Sequence, residues 1–177
     1  MVSLKLVFLG IAGSVSAKNH NTVSILVENY LLDCGEGVTR ALQEIGAIDS
    51  VDRVFITHLH ADHFSGITSL IWYYMLSGRD RELLIAGPKG VEKTTMKILE
   101  IQNTPLDRVK NWLSFKELEP GDRLGNVTVA EARHSIPSLA YRIDLEKSIC
   151  YTGDTAVSYT HLRAHETEAD LVCRLLL

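Results

Sequence analysis

Three histidines and one aspartate lie within six residues of one another, directly after an apolar run that predicts a buried strand. The segment reads Thr57-His58-Leu59-His60-Ala61-Asp62-His63. Imidazole nitrogens and carboxylate oxygens are ligands that zinc prefers, at about 2.0–2.2 Å. A turn at a strand end can bring alternate side chains to one point and direct the next two to a second point. We therefore expect a pair of divalent ions about 3.5–4 Å apart with a bridging hydroxide. A solvated histidine-rich turn is the competing interpretation.

Three further residues are candidates for the site, and a fourth residue of ligand type, His20, is not. Asp33 lies in the loop Asp33-Cys34-Gly35-Glu36-Gly37, and Asp154 lies in Tyr151-Thr152-Gly153-Asp154-Thr155. His134 is isolated, and a single histidine is by itself more often a surface or core residue than a ligand. His20, in the polar segment Lys18-Asn19-His20-Asn21, is expected to be solvated.

The hydrophobic pattern predicts a mixed α/β chain in which strands outnumber helices. Residues 67–76 show helical spacing, with Ile67, Leu70, Ile71 and Tyr74 on one buried face. Two more helices are predicted over 38–45 and 91–101. The predicted strands cover residues 4–9, 23–27, 30–32, 51–56, 83–86, 113–115, 127–130, 140–143 and 148–151.

Composition limits the classes of function. The 177 residues fit one domain, and a net charge of −4 supplies no overall basic field for a large polyanion. Cys34, Cys150 and Cys173 show no C-x-x-C spacing, which favours free thiols in a reducing compartment over a disulfide framework. No stretch approaches the roughly 20 apolar residues of a membrane helix. We therefore expect a soluble, cytoplasmic protein.

The last segment, residues 157–177, reads VSYTHLRAHETEADLVCRLLL and departs from the pattern before it. It resembles the in-frame translation of a transposon-type sequencing adapter, with Glu168 and Ala169 at the index. On this interpretation the native domain covers 1–156, and His161, His165 and Cys173 have no function. The competing interpretation is a genuine C-terminal helix with a leucine-rich end.

The H-x-H-x-D-H motif, followed in order by His134 and Asp154 and preceded by Asp33, resembles the metallo-β-lactamase superfamily. The resemblance covers residues 1–156 and implies a four-layer αββα sandwich whose C-terminal part is missing here. It implies that His58, His60 and His134 bind one metal, and that Asp62 and His63 bind a second. Asp154 would then bridge both ions, and the buried Asp33 would orient the ligands from behind.

The closest likeness within the superfamily is to the ribonuclease Z-like branch. It rests on Phe8-Leu9-Gly10, the Asp33–Gly37 loop, Gly87-Pro88-Lys89-Gly90 and the stretch from His134 to Ile143. The resemblance implies phosphodiesterase chemistry, with processing of tRNA 3′ ends as its best-known form. The sequence departs from the pattern of this branch in two respects. The short interval between His134 and Asp154 has room for two strands and a turn, not for a tRNA-gripping arm, and a further histidine ligand expected after Asp154 is absent.

These observations favour a metal-dependent hydrolase of a small phosphodiester, with a metal-bridged hydroxide as the nucleophile. A ribonuclease Z-type tRNA endonuclease is the first alternative, and a non-catalytic regulatory member of the fold is the second. Asp62 could accept a proton as well as bind metal. Zn²⁺ is the expected ion and Mn²⁺ is compatible with the same ligands. The expected partner is a small phosphodiester or RNA, without a membrane, and a homodimer of the complete protein is compatible with the sequence.

Overall fold

The computed structural model describes residues 4–156 and the backbone of residues 171–173. The first sheet has six strands in the order β1-β2-β3-β4-β5-β6. The pairs β1–β2 and β2–β3 are antiparallel, whereas β3, β4, β5 and β6 are parallel. These strands are β1 (Leu6–Gly10), β2 (Ser24–Val27), β3 (Tyr30–Leu32), β4 (Arg53–Phe55), β5 (Leu83–Gly87) and β6 (Leu113–Glu117).

The second sheet has five strands in the order β11-β10-β9-β8-β7. Its antiparallel part runs from β7 to β10, and β11 pairs in parallel with β10. These strands are β7 (Arg123–Leu124), β8 (Val127–Ala132), β9 (Ser138–Asp144), β10 (Ser148–Tyr151) and β11 (Leu171–Cys173).

Two apolar cores divide the molecule into layers. One core lies between the first sheet and the helices, and it buries Val54, Ile71 and Leu99. The other lies between the two sheets, where Phe55, Tyr141 and Ile149 are buried. The helices are α1 (Val38–Glu44), α2 (Ala61–Phe64), α3 (Ile67–Ser77) and α4 (Val91–Ile101). Within the described residues, these layers supply the helix, sheet and sheet of the expected αββα sandwich.

The regular elements agree closely with the predictions from the sequence. β3, β10 and α4 have the predicted bounds, and the four residues predicted for the buried face of α3 are all buried. The short helix α2 and strand β7 were not predicted, because four and two residues are too few for a periodic signal. The ends of β8 and β9 each extend beyond the predicted bounds, since cross-strand pairing continues into polar positions.

The structure also bears on three smaller expectations. Cys34 is a buried free thiol, and His20 is exposed as expected. No helix in the described part of the chain is long and apolar enough to cross a membrane. The predicted adapter-derived segment lies outside the described residues except for β11, so the origin of that segment stays a prediction.

Candidate metal centre

The candidate ligands collect at one edge of the two sheets. β3 and β4 are parallel, so Asp33 and His58, which follow them, come out at the same edge. In the second sheet, β8 and β10 run in the same direction on either side of β9, and they deliver His134 and Asp154. The fold therefore brings together residues that are up to 121 positions apart, as the interval from Asp33 to Asp154 shows.

Three imidazoles form what we call the imidazole cluster: His58, His60 and His134. Nδ1 of His60 lies 3.1 Å from Nε2 of His58 and 3.1 Å from Nε2 of His134. Ligand atoms of a tetrahedral ion with bonds of about 2.0–2.1 Å lie about 3.3 Å apart. The three nitrogens are thus close enough to share one ion, and they form a group that could hold a metal.

The other residues form what we call the carboxylate cluster: Asp62, His63 and Asp154. It begins where the chain turns from extended backbone at His60 into α2, the helix that carries Asp62 and His63. Nε2 of His63 lies 3.3 Å from Oδ1 of Asp154 and 3.6 Å from Oδ2 of Asp62. His63 and Asp154, together with His58, form a second group that could hold a metal, whereas Asp62 lies outside that compact group.

Asp154, a member of the carboxylate cluster, also faces the imidazole cluster. Its Oδ1 is directed to His63, and its Oδ2 lies 3.9 Å from Nε2 of His134. One carboxylate oxygen toward each cluster is the arrangement that a bridging ligand needs.

The chemistry of His63 provides a test of whether the residues fit a cation. Its Nδ1 lies 2.7 Å from Oδ2 of the buried Asp33, so Nδ1 carries the proton that this hydrogen bond requires. Nε2 is buried and has no hydrogen-bond partner among the described residues. A nitrogen lone pair facing two carboxylates is unfavourable unless a positive charge lies between them. A divalent ion would supply that charge, as a proton can in the metal-free protein, so the donor set fits a metal.

The pKa values of the two buried histidines, His58 and His63, are shifted in opposite directions. Burial, aided by the neighbouring ring of His63, lowers the pKa of His58 to about 4, which keeps it neutral as a ligand must be. Burial also acts to lower the pKa of His63. The hydrogen bond to Asp33 and the charges of Asp33, Asp154 and Asp62 outweigh burial and hold that pKa above its usual value. The site around Nε2 therefore attracts positive charge.

Three contributors to the site were not identified from the sequence. Thr57 and Tyr151 both hydrogen-bond to the Asp33 carboxylate, and the backbone N–H of Ser14 donates to Oδ2 of Asp62 at 2.8 Å. The positions of Thr57 and Tyr151, immediately before His58 and three residues before Asp154, were the available signal. Ser14 carried none, because its contact depends on the path of the loop after β1.

The two clusters remain accessible from one side. His58 and His63 are buried, but the side chains of His134 and Asp154 are 21% and 18% exposed. The ligand-bearing edge can thus be reached by a molecule from solvent.

Between His134 and Asp154, β9 and β10 form a hairpin joined at residues 145–147, which agrees with the predicted two strands and a turn.

The two-sheet fold with helices outside the first sheet, and the histidine and aspartate groups at the sheet edge, define a metallo-β-lactamase-fold protein of the ribonuclease Z-like type. Solved structures support the fold. YhfI of Bacillus subtilis matches with a TM-score of 0.76 and 23% identity, over 96% of this chain and 70% of that one. The short form of human tRNase Z matches with a TM-score of 0.71 and 23% identity, over 84% and 68%.

The chain belongs to the family described as Anti-Pycsar protein Apyc1, whose sequence model matches residues 4–174. It is also similar to the ribonuclease Z of Methanosarcina mazei, with 34% identity over 151 residues. That alignment covers 79% of this chain and 48% of the relative. The chain thus spans about half the length of the curated relatives it matches.

Proposed function

We propose that the complete protein is a metal-dependent phosphodiesterase whose substrate is a small phosphodiester. The observation that carries the proposal is Nε2 of His63, which faces Asp62 and Asp154 without a hydrogen-bond partner among the described residues. Beside it, Nδ1 of His60 lies 3.1 Å from a ring nitrogen of each of two other histidines, His58 and His134. The resemblance to ribonuclease Z supports the phosphodiester as the bond that is cut. The presence of all six ligand-type residues of the motifs up to Asp154 argues against a non-catalytic member of the fold.

In this proposal the two clusters hold two divalent ions, with Zn²⁺ expected and Mn²⁺ compatible. His58, His60 and His134 would hold one ion, Asp62 and His63 would hold the other, and Asp154 would be shared between them. Such ions lower the pKa of bound water toward neutrality and stabilise charge on phosphate oxygens. The protein contributes the neutral His58, the fixed orientation of His63, and Asp62, whose carboxylate is positioned by Ser14 to accept a proton.

The preference for a small substrate rests on shape and charge. The hairpin of β9 and β10 leaves no protruding arm between His134 and Asp154, and the net charge of −4 offers little general attraction to RNA. The second candidate, a tRNA 3′-processing endonuclease, is favoured by the name and the similarity of the ribonuclease Z relatives. A precursor tRNA cut faster than a small diester would favour that candidate.

The test is hydrolysis of bis(p-nitrophenyl) phosphate by the metal-loaded protein, beside p-nitrophenyl phosphate and p-nitrophenyl acetate. We expect the diester to be cut preferentially, activity to be lost with a chelator, and activity to return with Zn²⁺ or Mn²⁺. His20→Ala is the matched control, because His20 is an exposed histidine outside both clusters. A protein that binds metal but cuts none of the esters would contradict the proposal.

We also propose that residues 1–156 are the first part of a longer domain and that 157–177 derive from an adapter. The carboxylate cluster offers three ligand-type residues, Asp62, His63 and Asp154, and the described part of the chain places no helix on the outer face of the second sheet. Source DNA sequenced past the codon for Ala156 should continue for on the order of 80–120 residues, the size of the missing layer of such a domain. The continuation should contain a histidine just after a strand. A stop codon directly after Ala156 would contradict this.

A further inference from the structure

The carboxylate of Asp33 is the most heavily hydrogen-bonded side chain of the site. Asp33 is fully buried, and its Oδ1 accepts the backbone N–H of Thr57 at 2.7 Å. Its Oδ2 accepts Nδ1–H of His63 at 2.7 Å, the hydroxyl of Tyr151 at 2.7 Å and the hydroxyl of Thr57 at 2.9 Å. One buried anion therefore organises groups from several elements.

The hydroxyl of Thr57 connects this anion to His58. An ionised carboxylate only accepts hydrogen bonds, so the O–H of Thr57 is the donor in its hydrogen bond to Asp33. Its oxygen lies 3.0 Å from Nδ1 of His58, and with its own proton committed it accepts Nδ1–H. His58 is thereby held as the tautomer whose Nε2 is unprotonated and available in the imidazole cluster.

The hydroxyl of Tyr151 connects the same anion to the second sheet. Tyr151 ends β10, whereas Asp33 follows β3 in the first sheet. Tyr151 is 1% exposed, so its hydroxyl lies in the inter-sheet core, away from any substrate. The bond fixes the Asp33 carboxylate relative to the strand that leads to Asp154, and that carboxylate in turn holds His63.

We propose that Thr57 and Tyr151 are positioning residues of the metal centre. Thr57, its hydroxyl fixed by Asp33, acts directly on His58 in one cluster, and Tyr151 acts through Asp33 on His63 in the other. Thr57 sets the tautomer of His58, and Tyr151 holds the carboxylate that sets the tautomer of His63. The proposal rests on the metal-binding part of the proposed function. Neither residue contacts the reacting atoms, so both act by fixing the orientation of ligands.

Two pairs of variants separate positioning from general stability. Thr57→Val removes the linking hydroxyl, and its control Thr95→Val removes a buried hydroxyl that bonds only within α4, to the carbonyl oxygen of Val91. Tyr151→Phe removes the bond to Asp33. Its control Tyr141→Phe removes a buried hydroxyl in the same inter-sheet core, which donates to the carbonyl oxygen of Ile56.

The first measurement is zinc affinity by competition with a chromophoric chelator. Loss of such outer partners typically weakens metal binding by about 10–100-fold, which we expect for Thr57→Val and Tyr151→Phe. The two controls should bind zinc as the wild type does, although they lose stability. Thr57→Ser keeps the hydroxyl and should restore wild-type affinity. Equal weakening in the controls, or in Thr57→Ser and Thr57→Val, would overturn the proposal.

The second measurement needs no metal. Ring ¹⁵N chemical shifts of the metal-free wild type should show His58 and His63 protonated at Nδ1. In Thr57→Val the shift of His58 should move toward a mixture of tautomers, and in Tyr151→Phe the shift of His63 should move. Unchanged tautomers in both variants would overturn the inference alone. A wild type that binds no metal ion would instead refute the proposed function on which it rests.

Discussion

The imidazole cluster and the carboxylate cluster lie side by side but differ in the features that would favour a metal ion. The former consists of three imidazole rings, and burial lowers the pKa of His58, which keeps that ring neutral. The latter combines a buried histidine with two carboxylates, which raise the pKa of His63 against the effect of burial. The first therefore selects by ligand type, since nitrogen ligands suit zinc, whereas the second selects by charge. Asp154 joins the two, with one oxygen toward each.

Loss of a ligand should have the largest effect and should show whether the clusters act together. We expect His60→Ala to lower the metal content and to reduce hydrolysis to the level of chelator-treated protein, because one ion alone cannot hold the nucleophile in line. His63→Ala should have the same effect from the other cluster. Metal content is measured by atomic emission and hydrolysis on the model diester. Wild-type turnover of His60→Ala at unchanged metal content would refute the assignment.

Neutralising the shared anchor should weaken both clusters by a smaller amount. Asp33→Asn keeps the size of the side chain but replaces one acceptor oxygen with a donor, so His63 and Thr57 compete for what remains. We expect metal affinity to fall by about 10–100-fold, the usual effect of losing an outer partner. If the binding of two metal ions can be resolved and the substitution lowers the affinity of only one of them, then Asp33 supports only the cluster that binds that ion.

A glycine beside Asp154 provides a test of how tightly the second sheet fixes the site. Gly153 has φ +54°, and a Cβ there would lie 2.6 Å from Oγ1 of Thr57. Gly153→Ala should cost roughly 2–5 kcal/mol of unfolding free energy, from backbone strain of about 1–2 and overpacking of about 1–3. Gly78→Ala is the control, with φ +76° but open space, and should cost the strain alone. Equal losses of unfolding free energy in the two variants, measured by urea unfolding, would show that the Thr57 side chain moves aside without a measurable cost.

Deleting residues 157–177 should have the smallest effect. If the segment derives from an adapter it was not selected to pack, so the urea midpoint should stay within measurement error. The segment includes β11, which pairs with β10, the strand that leads to Asp154. A clearly lower midpoint, or a loss of metal affinity confined to the carboxylate cluster, would show that this pairing belongs to the fold.

The sequence by itself determined the regular elements and the main candidates for the site. Periodicity located α3 and α4, because their buried faces repeat every three to four residues over eleven residues each. The run from His58 to His63 was recognisable because its ligand-type residues are contiguous. Asp33, His134 and Asp154 were identified only through their order in a family pattern, since an isolated histidine or aspartate carries no signal of its own.

Only the tertiary structure decided how these residues are held. The hydroxyl of Tyr151 reaches Asp33 across 118 positions, and the N–H of Ser14 reaches Asp62 across 48. Such contacts depend on the packing of two sheets and on the path of a loop, which no local pattern encodes. The division of the ligands into two clusters likewise depends on α2, whose single turn redirects the chain after His60. Local preferences set the elements, but burial against distant strands set the geometry of the site.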